Sequence, residues 1–453
     1  MNSRLNRPAY VNAKKAIVSE PLAEAAVAGL ALAFSRVRKL SSYDRAAILD
    51  HVAQGLAAEV ETIAQDLAAE TGYLTTNDMR LEVRRAVEVF TLAAAQTRNG
   101  FTEMMTLDAV DRGRNTHGFI RREPIGPVLG ICAFNGPLLI AAHKVAPAIM
   151  VGAPILLKPA PTAPQGTIGL AERVVLAGWP ADAIAVLDTP DEMTRSLITD
   201  PRLPVISFTG GAFGWTIKEM APRKHVLLEL GGIGATLIAR DANLDKAATE
   251  CAAGGYVRSG QSCISVQRIY VDQAVAAAFT EKFLQAVKKL ESDNPDDLFC
   301  RMVSEAAAAR VDGFIADAQA KGAVIATGGT RVGAKFRPTV LVDANGEMAV
   351  MRSEIFGPVV AIQTFSSIDE AIDMINAVPG AIHHGAYTND LTLANRFIDE
   401  IRAAGVIING PCTWRVDSMP YGGTGSSGFG REGLLHAALE FTEPKAIVIR
   451  PAD

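Results

Sequence analysis

Short apolar runs of strand length, separated by helical stretches, predict an α/β protein built on a doubly wound parallel sheet. Val128-Leu129-Gly130-Ile131-Cys132-Ala133 and Pro154-Ile155-Leu156-Leu157-Lys158 flank a helical stretch over 138–150, which is the pattern of a βαβ unit. Composition agrees: hydrophobic residues make up 49% of the chain and aromatics 6%, as suits an Ala/Val/Ile-rich enzyme core. At 453 residues the chain exceeds what one hydrophobic core serves, so two or three domains are expected.

The opening region, 22–71 and then 82–95, is Ala-rich with apolar residues at helical spacing and reads as mostly helical. The βαβ pattern follows and repeats through a helix at 165–178 and strands at 183–187 and 205–208. A second alternating region runs over 231–433. Its strands are expected at 268–271, 359–362 and 405–409, and its helices at 273–292, 305–322 and 391–404. The apolar tract 127–157 is interrupted by Asn135, His143, Lys144 and several prolines, so it reads as buried strand-helix-strand rather than a membrane span.

A net charge of −5 without any basic stripe argues against a nucleic-acid partner. The five cysteines, Cys132, Cys251, Cys263, Cys300 and Cys412, are scattered with no Cys-x-x-Cys pair, which argues against a disulfide framework or a zinc site. Residues 1–15 lack the apolar core of a signal peptide. The expectation is a soluble cytoplasmic protein without a bound metal.

Cys263 lies in Gly260-Gln261-Ser262-Cys263-Ile264-Ser265, downstream of a carboxylate in Leu228-Glu229-Leu230-Gly231-Gly232. The pair offers a thiol nucleophile and a general base. Together with Phe134-Asn135-Gly136-Pro137 before them and Glu354-Ile355-Phe356-Gly357-Pro358 after them, these segments resemble, in content and order, the aldehyde dehydrogenase superfamily over nearly the whole chain. The resemblance implies an aldehyde dehydrogenase-like fold with a Rossmann-type cofactor domain (1–107 and 125–230), an α/β catalytic domain (231–436) and a small β oligomerisation element (108–124 and 437–453). That element would comprise a hairpin over 110–123 and a terminal strand over 446–450, and would assemble a homodimer or homotetramer.

The implied activity is hydrolytic, NAD- or NADP-dependent oxidation of an aldehyde. Cys263 would attack the carbonyl, the Asn135 amide and the Cys263 N–H would hold the oxyanion, and Glu229 would activate water after hydride transfer. For the cofactor, the resemblance points to Lys158 and Pro159 at the adenosine ribose, Thr209 and Gly210 at the pyrophosphate, and Glu354 with Phe356 at the nicotinamide end. Phe134 and Leu230 lie beside them. Pro161 stands where NAD-selective members often carry a carboxylate. Gly136 replaces a common tunnel aromatic, implying a wider entrance, and His143, Arg258 and Arg415 are candidates at the substrate.

Each of these residues also has a purely structural reading. Asn135 suits a turn before Pro137, His143 suits a satisfied core histidine, and the two arginines suit surface ion pairs. The overlapping runs Gly423-Thr424-Gly425-Ser426-Ser427-Gly428 and Gly428-Phe429-Gly430-Arg431-Glu432-Gly433 fit G-x-G-x-x-G, but neither opens an N-terminal βαβ unit. They read instead as a flexible turn beside the active site, part of the family's terminal signature that begins at Pro420-Tyr421-Gly422-Gly423. A coenzyme-A-acylating enzyme or a non-catalytic scaffold of the same fold are the competing readings, and retention of Glu229 speaks against the first. In its cysteine and terminal segments the chain looks closest to lactaldehyde- and phosphonoacetaldehyde-type members.

Overall fold

The computed structural model describes residues 7–451. The apolar runs assemble into two large sheets. In the first, five parallel strands lie in the order His225–Glu229, Val205–Thr209, Val128–Ile131, Ile155–Lys158, Ile184–Leu187. The central strand, Val128–Ile131, is first in the chain, and the winding proceeds outward from it in both directions. A switch point results beside Val205–Thr209, where the connections leave the carboxyl ends on opposite faces and open a crevice. Helices cover both faces, so the strand residues are buried on each side and the sequence shows continuous apolar runs rather than alternation.

The second sheet has six parallel strands, Thr339–Val342, Val359–Phe365, Arg268–Asp272, Ala235–Ile238, His383–Tyr387 and Gly405–Ile408 in that order, with Val324–Thr327 antiparallel at one edge. Four helices precede the first βαβ unit: Glu20–Val37, Ser42–Ala58, Val60–Thr71 and Thr76–Asn99. Ser19, Ser41 and Thr75 cap three of them, Thr75 through a capping box with Asp78. The helix Pro137–Val151 has no capping side chain of its own. Its orphan donors are served from a distance: Glu82 Oε1, fully buried on helix Thr76–Asn99, accepts from the N–H groups of Leu138 (2.8 Å) and Leu139 (3.0 Å).

A third, small sheet pairs Thr442–Ile449 with His117–Pro124 along their whole length, and His117–Pro124 with Glu103–Met105. The hairpin expected over 110–123 is therefore displaced. Asp111–Gly113 forms a single 3₁₀ turn, closed by Gly113 N–H to Val110 O, and the true partner strand lies earlier, at Glu103–Met105. No helix among the described residues is long and apolar enough to cross a membrane.

The glycine-rich terminal segment is likewise not a free turn. Gly428–Phe429 pairs antiparallel with Leu228 and Glu229 at the edge of the first sheet. Four residues past Gly428, Glu432 reaches Lys144, a fully buried ammonium 2.8 Å away that also donates to Ser207 Oγ (2.9 Å) and Thr209 Oγ1 (2.8 Å). Removing one member of such a pair strands the other charge away from water. Glu432→Ala is expected to cost about 3–5 kcal/mol and to lower the thermal unfolding midpoint clearly more than Glu432→Gln. Equal midpoints for the wild type and Glu432→Ala would refute that role.

Candidate active site

The carboxyl ends of four parallel strands of the first sheet line one cavity of about 680 Å³, closed on the other side by 257–264, 354–356 and 413–421. Glu229 ends its strand there and is 3% exposed, with buried Leu227, Leu228 and Leu230 around it. Among the described residues neither carboxylate oxygen has a hydrogen-bond partner. Burial, and then the nearby Glu432 carboxylate, push its pKa well above the usual carboxylate range, against the pull of Lys144, Arg415 and Arg431.

Cys263 is delivered by an irregular path. Helix Leu244–Tyr256 ends, and Arg258, Ser259 and Gly260 then adopt φ of 52°, 59° and 68° before the chain reaches Gln261-Ser262-Cys263. Left-handed backbone at two non-glycine residues costs on the order of 1 kcal/mol each or more. Within this stretch the Arg258 N–H donates to Asp78 Oδ1 at 3.2 Å. Cys263 is half-buried, whereas Cys132, Cys251, Cys300 and Cys412 are buried. The Gly231-Gly232 turn lets Glu229 approach this loop, since a Cβ on Gly232 would sit 2.7 Å from the Cys263 carbonyl oxygen. The sulfur lies 2.8 Å from the Tyr421 hydroxyl. Burial pushes the thiol up to about 11; the Tyr421 bond lowers it, Glu354 and Glu229 raise it, and Arg415 lowers it.

Asn135 is joined to the same loop through its amide, which donates to Gln261 O at 3.0 Å and keeps a second N–H. Its carbonyl accepts from Arg258 Nη1, and Arg258 Nη2 lies 2.9 Å from Glu82 Oε2. One carboxylate thus caps the helix after Asn135 and holds the arginine before Cys263. The vacancy at Gly136 is not open space: a Cβ there would lie 2.7 Å from Arg258 Nη1. The wider entrance expected at Gly136 is accordingly filled by the guanidinium of Arg258, and Arg258 is a buried pair rather than a surface one.

Opposite stands a basic wall. Asp417 accepts from Arg85 Nη2 (2.6 Å) and Nε (3.0 Å), pairs with His143 Nε2 (3.0 Å) and accepts from Arg415 Nη2 (3.1 Å). Although burial pushes the Asp417 carboxyl up, the bonds from His143 and Arg85 hold it far below the usual range. Desolvation lowers His143, so it stands as a neutral ring that both satisfies Asp417 and lines the cavity. The Arg415 guanidinium lies 3.7 Å above the Tyr421 ring centre, and its buried Nε has no partner among the described residues.

At the far end, Lys158 is 9% exposed at its strand terminus, with its ammonium on Pro159 O at 3.2 Å. Desolvation lowers its pKa, while Asp188 and Asp191 oppose that shift. Pro159 and Pro161 do not line the cavity, and Pro161 is exposed. Thr209 lines it, with its hydroxyl engaged by Lys144. Gly210 differs from expectation: its N–H donates to Glu229 O at 2.9 Å, so it is not free for an anion. Its constraint is steric, with a Cβ there 2.5 Å from the Phe208 ring. The N–H groups of Gly211, Ala212 and Phe213, at the start of helix Phe213–Met220, carry no bond among the described residues.

Leu230 and Phe134 lie in the lining, and Phe134 meets Phe356 edge-on at 5.7 Å and Tyr73 at 5.9 Å. Glu354 Oε1 accepts from Gly232 N–H at 3.0 Å, and burial raises the carboxyl to about 7. Sequence reasoning missed Tyr421, Asp417, Arg85 and Glu82 as parts of the site. Tyr in the Pro-aromatic-Gly-Gly run was a signal for the first, and Glu82 on the otherwise apolar stripe Met79, Val83, Ala86 and Phe90 was one for the last. Nothing local marks Arg85.

The family model described as "Aldehyde dehydrogenase family" matches residues 11–447. A 3-sulfolactaldehyde dehydrogenase from Priestia aryabhattai is 36% identical over 415 residues, 90% of this chain and 87% of that protein. Among solved structures, aldehyde dehydrogenase 21 from Physcomitrella patens, in complex with the reaction product succinate, superposes with a TM-score of 0.92 at 34% identity, over 99% of this chain and 96% of that one. A glyceraldehyde-3-phosphate dehydrogenase from Methanocaldococcus jannaschii complexed with NADP gives 0.89 at 30% identity, over 98% and 99%.

With its thiol at about 11, Cys263 is a minor fraction thiolate at neutral pH. Iodoacetamide labelling of the free protein should therefore fall on Cys263 before the four buried cysteines, and its rate should rise about tenfold per pH unit between roughly pH 7 and 10. First labelling at Cys300 or Cys412, or a rate flat with pH, would contradict this geometry.

Proposed function

The chain belongs to the aldehyde dehydrogenase family, and from that premise we propose that it oxidises a short aldehyde bearing an anionic group to the carboxylic acid, with NAD or NADP as oxidant. The observation that carries the anionic specificity is Arg415, which lines the cavity with Tyr421 and Cys263 and whose buried Nε has no partner among the described residues. Arg85 and Arg415 share the single carboxylate of Asp417, so these three groups carry one net positive charge. A guanidinium so desolvated favours an anion and leaves a neutral ligand unrewarded. The relatives named above for sulfolactaldehyde, succinate and glyceraldehyde 3-phosphate all concern charged molecules.

In this reading the Cys263 sulfur adds to the aldehyde carbon, and the oxyanion is met by the free amide N–H of Asn135 and the Cys263 N–H. When bound, the oxidised nicotinamide supplies the hydride acceptor that converts the adduct to a thioester. Glu229 then takes a proton from water as the water attacks the thioester carbon. The C–S bond breaks, the acid leaves, and the thiol is restored. A carboxylate whose proton affinity is raised by burial is a stronger base toward water than an exposed one. The residues present fit a dinucleotide: the open amides at Gly211, Ala212 and Phe213 suit a pyrophosphate, Lys158 a ribose, and Glu354 with Phe356 the nicotinamide end.

Assembly as a cytoplasmic homodimer or homotetramer is part of the same proposal. Its supports are the five free cysteines and the edge of Thr442–Ile449, which has no further strand among the described residues and exposes Val448 and Ile449.

Two assays test the substrate and cofactor readings. Against an aldehyde panel, kcat/KM should favour an acidic aldehyde over neutral lactaldehyde, and Arg415→Ala should cost the acidic substrate on the order of 10–100-fold more than the neutral one. Equal rates on both would reduce Arg415 to a structural ion pair. No carboxylate follows Lys158 at Pro161 to repel a 2′-phosphate, and Asp191, which lines that end of the cavity, supplies only exposed charge. Both cofactors should therefore work within about 100-fold of each other, and Pro161→Glu should move selectivity toward NAD. A thousandfold preference for NAD in the unmodified protein would overturn the argument from Pro161.

A further inference from the structure

Tyr421 is absorbed by neither the cofactor nor the substrate reading, yet its hydroxyl is the hydrogen-bonding partner of the Cys263 sulfur, at 2.8 Å. Three contacts fix it there. Its N–H and carbonyl pair with Glu432 across an antiparallel bridge, so its backbone is tied to the segment that holds Lys144. The His383 ring meets it edge-on at 5.4 Å and 90°, and the Arg415 guanidinium covers its other side at 3.7 Å. The tyrosine ring is thus clamped with its one polar atom on the sulfur.

We propose that Tyr421 is a catalytic hydrogen-bond donor to the Cys263 sulfur, stabilising the thiolate that attacks the aldehyde, and that Arg415 on its ring assists it electrostatically. The inference deepens the reading above and rests on Cys263 being the nucleophile. As a neutral pair, either group can donate. Once Cys263 loses its proton to solvent, only the phenol has a hydrogen to give, and a bond to a charged acceptor is roughly twice as strong as a neutral one. Tyr421 keeps its proton, because burial and then the neighbouring Cys263 raise its proton affinity well above that of an ordinary phenol.

The surrounding charges settle the sign. The groups acting on Cys263 are Tyr421, Glu354, Glu229 and Arg415, and those acting on Tyr421 are Cys263, Arg415 and Glu229, with His383 against its ring. The two carboxyls oppose a thiolate only when ionised, and burial raises both above the usual range. Desolvation also lowers His383, to about 4, so it stands neutral. Tyr421 and Arg415 are therefore the groups that favour ionisation. A phenylalanine at this position would fill the same space and supply no donor.

The test is Tyr421→Phe, with Cys263 ionisation followed by the ultraviolet absorbance of the thiolate against a Cys263→Ser blank, and with iodoacetamide labelling rates across pH. The titration midpoint should rise by about one unit. Labelling below that midpoint should slow roughly threefold, because a more basic thiolate, though scarcer, is intrinsically more nucleophilic. Arg415→Met, read with the same uncharged reagent, should shift the midpoint in the same direction and serves if Tyr421→Phe folds poorly. A midpoint unchanged in both variants, with any rate loss uniform across pH, would make Tyr421 a packing residue and overturn the proposal. If wild-type label falls on a cysteine other than Cys263, the nucleophile assignment itself fails and the role of Tyr421 fails with it.

Discussion

Exclusion of water from the floor of one cavity is the constraint to which the rest of the site answers. Glu229 sits at a strand end among leucines with both oxygens unpartnered among the described residues, and Cys263 lines the same cavity, its loop packed against a glycine at 232 that leaves no room for a side chain. Both groups are held toward their neutral forms by desolvation. That suits a site where a thiolate and a deprotonated base are each needed only in turn, since a buried charge is costly until something arrives to meet it. The groups that can meet it are already in position: Tyr421 and Arg415 at the sulfur, Asn135 at the same loop, and Lys144 with Glu432 behind Glu229.

The polar shell is arranged so that each charge serves two elements. Glu82 caps helix Pro137–Val151 with one oxygen and meets Arg258 with the other, so the helix carrying His143 and Lys144 and the loop carrying Cys263 are set by one carboxylate. Asp417 gathers Arg85, His143 and Arg415 in the same way. Gly136 and Arg258 are complementary: the missing side chain of one is the room occupied by the guanidinium of the other. The two residues are, in space, a single adjustment.

The two-sheet architecture was readable because strands buried on both faces must be apolar throughout, and a run such as Ile155–Lys158 ending in a lone lysine marks both a strand and its functional end. Cys263, Glu229 and Asn135 were readable because their neighbours form motifs. Long-range pairing was not. Arg85 and Asp417 meet across most of the chain, and no local pattern distinguishes a guanidinium that turns inward from one that stays in water. Gly210 lines the cavity but offers no open amide, because the parallel ladder extends one residue past the strand and takes that N–H. The small sheet was placed correctly at 117–124 and near the terminal strand, but its hairpin was started too late, because Glu103–Met105 is too short to declare itself and a charged turn at Asp111–Gly113 lay where strand was expected.

The account stands or falls on an acyl group carried by Cys263 and released by Glu229. The direct measurement is peptide mass spectrometry of the Glu229→Gln variant, quenched after mixing with oxidised cofactor and the best aldehyde of the panel. The account predicts about one acyl group per chain, on the peptide containing Cys263, formed alongside about one equivalent of reduced cofactor and followed by slow turnover. Full-rate turnover with Cys263 unmodified, or an acyl group on another cysteine, would contradict it.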